Sequence, residues 1–157
     1  MRKLSIIIFF IFIRFAAVEA EIVKKIEILG NKRVSSETIK IYGEISINKN
    51  YEEQDLNTVL NNLYSTNFFK EINIDLKNGI LKLTLIEYPL INQLLVLGES
   101  SSRYQEQIKK LIKLKDKNSF IENNLATDVE IIKNLYSSLG FNFVKVNAKV
   151  RKIDDFN

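Results

Sequence analysis

Few side chains in this sequence are suited to catalysis. Its 157 residues include no histidine and no cysteine, which excludes nucleophile and base pairs of those types and most zinc sites. The densest carboxylate group is Glu52, Glu53 and Asp55. Adjacent helix positions point in different directions, and acidic residues are common where a helix begins because the helix dipole favours them there. We therefore predict a protein that is not an enzyme and that uses no metal or cofactor.

The basic residues give little reason to expect a nucleic-acid partner. The one dense basic run has five lysines: Lys109, Lys110, Lys113, Lys115 and Lys117. We interpret this run as a solvated helix end and loop, where the helix dipole favours cations; contact with an anionic lipid headgroup is the alternative. The net charge is +4 and falls to +2 without the first twenty residues. Binding to phosphates needs cations clustered on one face, so nucleic acid is not among the predicted partners.

The first twenty residues have the pattern of a secretory signal. A basic start precedes an apolar run over 4–13, and Val18 and Ala20 occupy the small-residue positions that a signal peptidase reads. The run is shorter than the ~20 residues that cross a bilayer core. An uncleaved anchor is the alternative, because apolar residues resume after Arg14, but a charge inside a span is costly. We predict that residues 1–20 are a signal peptide, cleaved after Ala20.

The rest of the sequence repeats one order of elements. Gly30 pairs with Gly98 at a shift of 68, and Leu63-Tyr64-Ser65 pairs with Leu135-Tyr136-Ser137 at a shift of 72. The shift of 72 also places the alternating residues Ile72, Ile74 and Leu76 on Val144, Val146 and Ala148. A register kept for so long indicates an internal repeat. The predicted units are 21–89 and 90–157.

The pattern of the first unit predicts the order β-α-α-β-β. A strand over 22–29 ends at Gly30, and Ser35 can cap a short helix that ends near Gly43. The second helix has an apolar stripe made of Leu56, Val59, Leu60, Leu63 and Tyr64. The period then changes to two, and Asn78-Gly79 predicts a hairpin into a strand over 80–87. We predict an α+β fold with a three-stranded mixed sheet covered by two helices.

The second unit is predicted to repeat this order without its last strand. Leu94 to Leu97 has the pattern of a first strand, followed by helices over about 104–112 and 124–139 and a strand over 143–153. The counterpart of the strand over 80–87 is not in the sequence. We therefore expect the chain to be the front part of a longer protein.

Three motifs of the first unit resemble those of the polypeptide-transport-associated domain, POTRA. They are Gly30-Asn31-Lys32-Arg33-Val34-Ser35, then Leu63-Tyr64 with Phe68-Phe69, and finally Glu87-Tyr88-Pro89. Two such units after a signal peptide are similar to the N-terminus of the BamA-type outer-membrane protein assembly factors. The resemblance covers about residues 22–157. The C-terminal β-barrel of that family, and any further POTRA copies, lie outside this sequence.

The resemblance implies a role on the periplasmic side of the outer membrane. There the units would bind unfolded outer-membrane proteins and accessory subunits and pass them to the barrel in that membrane. In the family's strand order of first, third, second, the second strand lies at the sheet edge and can add a strand from a client. The candidate strand-addition edge comprises Lys70, Glu71, Ile72, Asn73, Ile74, Asp75 and Leu76. The alternative is an edge blunted by its charged residues and unused.

Two other classes of POTRA protein stay open as alternatives. One is a two-partner secretion transporter or another outer-membrane translocation barrel, which also carries tandem units. The other is a cell-division protein of the FtsQ type, which has one unit after a true membrane span. The short apolar run over 4–13 and the second copy favour the assembly factor over the division protein.

Overall fold

The computed structural model describes residues 21–153, so the predicted signal peptide lies outside the described residues. The helices and strands in chain order are β1 (Glu21–Ile22), β2 (Lys25–Leu29), α1 (Ser36–Tyr42), β3 (Asn50–Tyr51), α2 (Glu53–Ser65), β4 (Phe69–Lys77), β5 (Ile80–Glu87), α3 (Ser102–Leu111) and α4 (Glu122–Ser138). The pair β1 and β3, two residues each, forms a separate small antiparallel sheet. The sequence pattern does not predict that pair.

The main sheet has the strand order β2-β5-β4. The central strand β5 runs parallel to β2 and antiparallel to β4. The predicted α+β class and the three-stranded mixed sheet are therefore confirmed. Since β2 and β4 do not pair with each other, both outer strands depend on β5 for their hydrogen-bond partners.

The hairpin between β4 and β5 turns over two residues. Asn78 and Gly79 have φ angles of 54° and 75°, as a tight two-residue hairpin turn requires. Lys77 faces Ile80 directly across the turn. The turn thereby sets the register of the whole pair.

The core of the first unit lies between the sheet and the two helices. Leu81, Leu83 and Leu85 alternate along β5 and are at most 2% exposed. They join one buried cluster with Ile39 of α1 and with Val59 and Leu63 of α2. Both helices therefore cover the same face of the sheet, as predicted. Burial of these side chains is the main stabilising contribution in a unit without cysteine.

The loop after β2 needs a glycine at its first position. Gly30 has a φ of +85°, and a Cβ there would collide with the carbonyl oxygen of Leu85. Only a residue without a side chain tolerates both the left-handed backbone and this close approach to β5. The loop can then pass across the end of β5.

The second half of the described chain packs as a helix pair. Ser101 caps α3 by accepting a hydrogen bond from the Tyr104 amide. The carboxylate of Asp128 on α4 is buried and accepts the amides of Lys113 at 2.7 Å and Leu114 at 2.8 Å. This buried carboxylate fixes α4 against the segment that follows α3.

The two predicted strands of the second unit are not formed within residues 21–153. Residues 94–97 and 143–153 belong to no helix or hydrogen-bonded strand. The physical reason lies in the strand order of the first unit. There β5 stands between the outer strands and pairs with both, and its counterpart is not among the described residues. Without a central strand, two strand-prone segments have no partner in register.

Candidate functional site

The candidate strand-addition residues lie on β4, at one edge of the sheet. The strand has nine residues, against five in β2 at the opposite edge. An edge strand presents unpaired amide and carbonyl groups along one side. In an antiparallel pair, alternate residues direct these groups toward the neighbour or away from it. The chemistry of the edge therefore depends on which residues of β4 direct their backbone outward.

Two observations show which residues of β4 are outward, meaning that their backbone amide and carbonyl groups point away from β5. The amide of Ile72 donates to the hydroxyl oxygen of Tyr64 at 3.2 Å and so is directed away from β5. Independently, the two residues that flank a two-residue turn exchange hydrogen bonds with each other, which makes Lys77 an inward residue paired with Ile80. Both observations give the same alternation. Ile72, Ile74 and Leu76 direct their amides outward.

The remaining candidate residues direct their backbone toward β5 or lie at a bulge. Glu71, Asn73 and Asp75 pair toward Ile86, Thr84 and Lys82 of β5. Lys70 falls where the register shifts between Phe69 and Glu71, which marks a bulge. The regular part of the β4 edge is therefore residues 72–77, which begins two residues later than the predicted range of 70–76.

The side chains of β4 divide into two faces. Ile72, Ile74 and Leu76 are half-buried against the core, whereas Glu71, Asn73 and Asp75 are exposed on the opposite face. Asp75 forms an exposed ion pair with Lys77 at 2.8 Å. The charged groups therefore point along the sheet normal and leave the line of the outward amides open.

A carboxylate at the end of β5 holds the loop after β2. One oxygen of Glu87 accepts the amides of Lys32 and Val34, both at 2.9 Å, and that of Arg33 at 3.1 Å. The Arg33 guanidinium lies 3.5 Å from the other oxygen. The motifs around Gly30 and Glu87, far apart in sequence, thus meet in one contact. We call this set, Lys32 to Val34 with Glu87, the Glu87 latch.

Sequence reasoning missed the Glu87 latch, although both halves of it were visible. A glycine-led loop with three successive free amides is a backbone nest for an anion, and Glu87 is the acid at the end of the closing strand. The two motifs could be joined only through the parallel pairing of β2 with β5, which brings the end of each strand to the same side of the sheet.

The second half uses a carboxylate within the equivalent loop. Glu99, which aligns with Asn31 at the shift of 68, accepts the amide of Ser101 at 2.7 Å and the hydroxyl of Tyr136. These hydrogen bonds hold the pKa of Glu99 below its ordinary value. The hydrogen bond to Glu99, together with partial burial, raises the pKa of Tyr136 to about 12.

Two general properties of residues 21–153 bear on function. No group of three or more acidic side chains in this part of the chain is arranged to hold a metal ion. No helix in the same range combines the length and apolar composition needed to cross a bilayer.

Comparison with known proteins agrees with this fold. Residues 89–157 match the family model described as POTRA, surface antigen variable number repeat. The N-terminal domain of Omp85 from the cyanobacterium Thermosynechococcus elongatus superposes with a TM-score of 0.52 at 14% identity, over 76% of this chain and 52% of that chain. At that identity the superposition shows a shared fold. The second half of the chain thus matches a POTRA family model, and most of the chain shares its fold with an Omp85 N-terminal domain.

Two curated relatives narrow the class. The outer membrane protein assembly factor BamA of Neorickettsia risticii is 25% identical over 138 residues, which is 88% of this chain and 19% of the relative. BamA of Neisseria meningitidis serogroup B is 25% identical over 134 residues, which is 83% of this chain and 17% of the relative. This chain therefore spans less than a fifth of the length of these relatives. Over most of its length the chain is similar to these BamA proteins, which agrees with the resemblance that the sequence motifs indicate.

Proposed function

We propose that this chain is the periplasmic POTRA region of an outer-membrane β-barrel assembly factor, with one unit over 21–89 and a second over 90–157. It binds unfolded outer-membrane proteins and accessory subunits for insertion into the outer membrane. The relatives' names support the general role. The observation that carries the mode of binding is the regular β4 edge, whose Ile74 and Leu76 amides are directed away from β5.

Strand addition suits a carrier of many different clients. An extended client segment would pair with the outward amides and carbonyls of residues 72–77, and main-chain pairing makes few demands on the client's side chains. Each backbone hydrogen bond contributes about 1 kcal/mol net. A few such bonds hold a client loosely enough to be passed on. The half-buried side chains of Ile72, Ile74 and Leu76 favour a client segment whose alternate residues are apolar.

Amide exchange with a bound peptide tests this proposal. We would add a synthetic peptide of alternating apolar and polar residues to residues 21–157 and follow exchange by NMR. Exchange at Ile74 and Leu76 should slow on binding, whereas Asn73 and Asp75 should change little because they already pair with β5. N-methylation of every second peptide amide on the pairing side should abolish binding. N-methylation of the other set should not.

Peptide binding along β2, at the opposite edge of the sheet, is the outcome that would contradict the proposal. Lys25 donates its amide to the Gly79 carbonyl at 3.1 Å, which places Ile26 and Ile28 as the outward residues of β2. New protection at Ile26 and Ile28, with none at Ile74 and Leu76, would reject β4 as the binding edge. No binding of the peptide to either edge would reject strand addition in the first unit.

Export by a cleaved signal is part of the same proposal. In the structure, Glu21, the residue after the predicted cut, already pairs with Tyr51, and its carboxylate accepts the Gly79 amide. A mature chain that begins at Glu21 therefore retains the pairing of Glu21 and Ile22 with β3. N-terminal sequencing of the exported protein should read from Glu21. An intact Met1 in the inner membrane would show that the signal is retained.

A further inference from the structure

The Tyr64 hydroxyl occupies a place on the β4 edge that strand addition would use. It accepts the Ile72 amide at 3.2 Å. In a sheet extended by one strand, that acceptor would be a carbonyl oxygen of the added strand. The hydroxyl therefore substitutes for one backbone acceptor of a client. Among residues 21–153, the amides of Ile74 and Leu76 donate to no such side chain and to no loop carbonyl.

The position of Tyr64 coincides with the end of the regular edge. Ile72 is the first outward residue after the bulge at Lys70. Tyr64 lies in the last turn of α2, whose end is fixed by the Thr66 hydroxyl donating to the Leu63 carbonyl at 2.6 Å. Leu63 itself is fully buried. The hydroxyl is thus carried by a helix anchored in the core, and Tyr64 is 44% exposed.

We propose that Tyr64 is a cap on the β4 edge that sets where client pairing stops and so fixes the register of the added strand. With the cap in place, a client pairs through Ile74 and Leu76 and ends before Ile72. The partner that fits is an extended segment with alternate apolar residues, because its side chains would continue the half-buried row of Ile72, Ile74 and Leu76. This inference rests on the proposed function for its client.

The matched pair of substitutions is Tyr64→Phe and Tyr136→Phe. Each removes one hydroxyl from the same position of the repeat and keeps the ring. The Tyr136 hydroxyl donates to Glu99 and takes no part in β4. Tyr64→Phe should therefore release the Ile72 amide, and Tyr136→Phe should leave it unchanged.

The first measurement needs no client. In the free parent protein, the Ile72 amide should exchange more slowly than the Ile74 amide, since only Ile72 has an acceptor on the edge side. In Tyr64→Phe, Ile72 should exchange about three- to tenfold faster. Equal exchange at Ile72 in the parent and in Tyr64→Phe would show that the hydroxyl does not cap this amide.

The second measurement adds the alternating peptide. Tyr64→Phe should bind it about three- to tenfold more tightly than the parent, because the client gains one backbone hydrogen bond without displacing the hydroxyl. In the complex, Ile72 should become newly protected by the peptide in Tyr64→Phe alone. Unchanged affinity, or peptide protection of Ile72 in the parent as well, would overturn the register role.

The two proposals fail in different ways. If the peptide binds to neither the parent nor the variant, strand addition at β4 is wrong, while Ile72 exchange in the free protein still reports on the cap. A second outcome is that the peptide protects Ile74 and Leu76 equally in the parent and in Tyr64→Phe, with Ile72 exchange unaffected. Strand addition at β4 would then be supported, and the proposed role of Tyr64 would be wrong.

Discussion

The two halves of the described chain share a helix pair but differ in their sheet. In residues 22–88, β5 lies between β2 and β4, and its leucines form the centre of the core. In the second half, α3 and α4 contact each other, yet the segments over 94–97 and 143–153 form no strand pairing among the described residues. The difference teaches that alternation of apolar residues makes a segment strand-prone, whereas a partner in register makes it a strand.

The halves also differ in what holds the loop that follows β2 in the first half and residues 94–97 in the second. In the first half, the Glu87 latch takes its carboxylate from the central strand. In the second, Glu99 lies within the loop and is bonded to Tyr136 of α4. The first loop therefore depends on a complete sheet, and the second depends only on the helix pair.

The largest expected effect comes from a matched pair of core truncations. Leu63→Ala removes a fully buried side chain in the first half and should lower the free energy of unfolding by about 2–5 kcal/mol. Leu135→Ala, its repeat counterpart, removes a half-buried side chain and should cost about 1 kcal/mol. Urea unfolding followed by circular dichroism gives both values. Equal losses would mean that the second half has a core as complete as the first.

The difference in pairing should appear directly in hydrogen exchange. Amides of β5 should exchange only through global unfolding of the first unit. Those of 95–97 and 143–153 should exchange at least about a hundredfold faster, because they lack sheet partners. Slow exchange over 143–153 would show that this segment finds a partner in solution, such as a second copy of the chain.

The Glu87 latch gives the next effect in size. Glu87→Gln keeps the shape of the side chain but removes the charge that accepts three amides, and should lower the free energy of unfolding by about 1–3 kcal/mol. Glu71→Gln, at an exposed position of β4, is the control and should change it by less than about 0.5 kcal/mol. A Glu87→Gln variant as stable as this control would show that the Glu87 latch does not contribute to the free energy of unfolding.

Local patterns predict most of the first unit, and long-range pairing explains the rest. The apolar stripe of α2 and the Asn78-Gly79 turn predict a helix and a hairpin that the structure confirms. The same turn also determines that Ile74 rather than Asn73 offers its amide, so the outward residues were predictable in principle. The Tyr64 contact was not, since it depends on where the end of α2 lies relative to β4.

The smallest effect concerns the pH dependence of the second half. Because the pKa of Tyr136 is raised to about 12, above the unfolded value of about 10, the neutral phenol is favoured by folding. Its stabilising contribution is therefore fully present below pH about 10 and is lost as the pH rises through about 12. The absorbance of the phenolate, taken as the difference between the parent and Tyr136→Phe, should show this titration. In Glu99→Ala the hydrogen-bond acceptor that is the main cause of the shift is gone, so the midpoint should move back toward about 10. A Tyr136 midpoint near 10 in the parent would mean that Glu99 does not hold the hydroxyl, and the second loop would then need the missing sheet contacts as much as the first does.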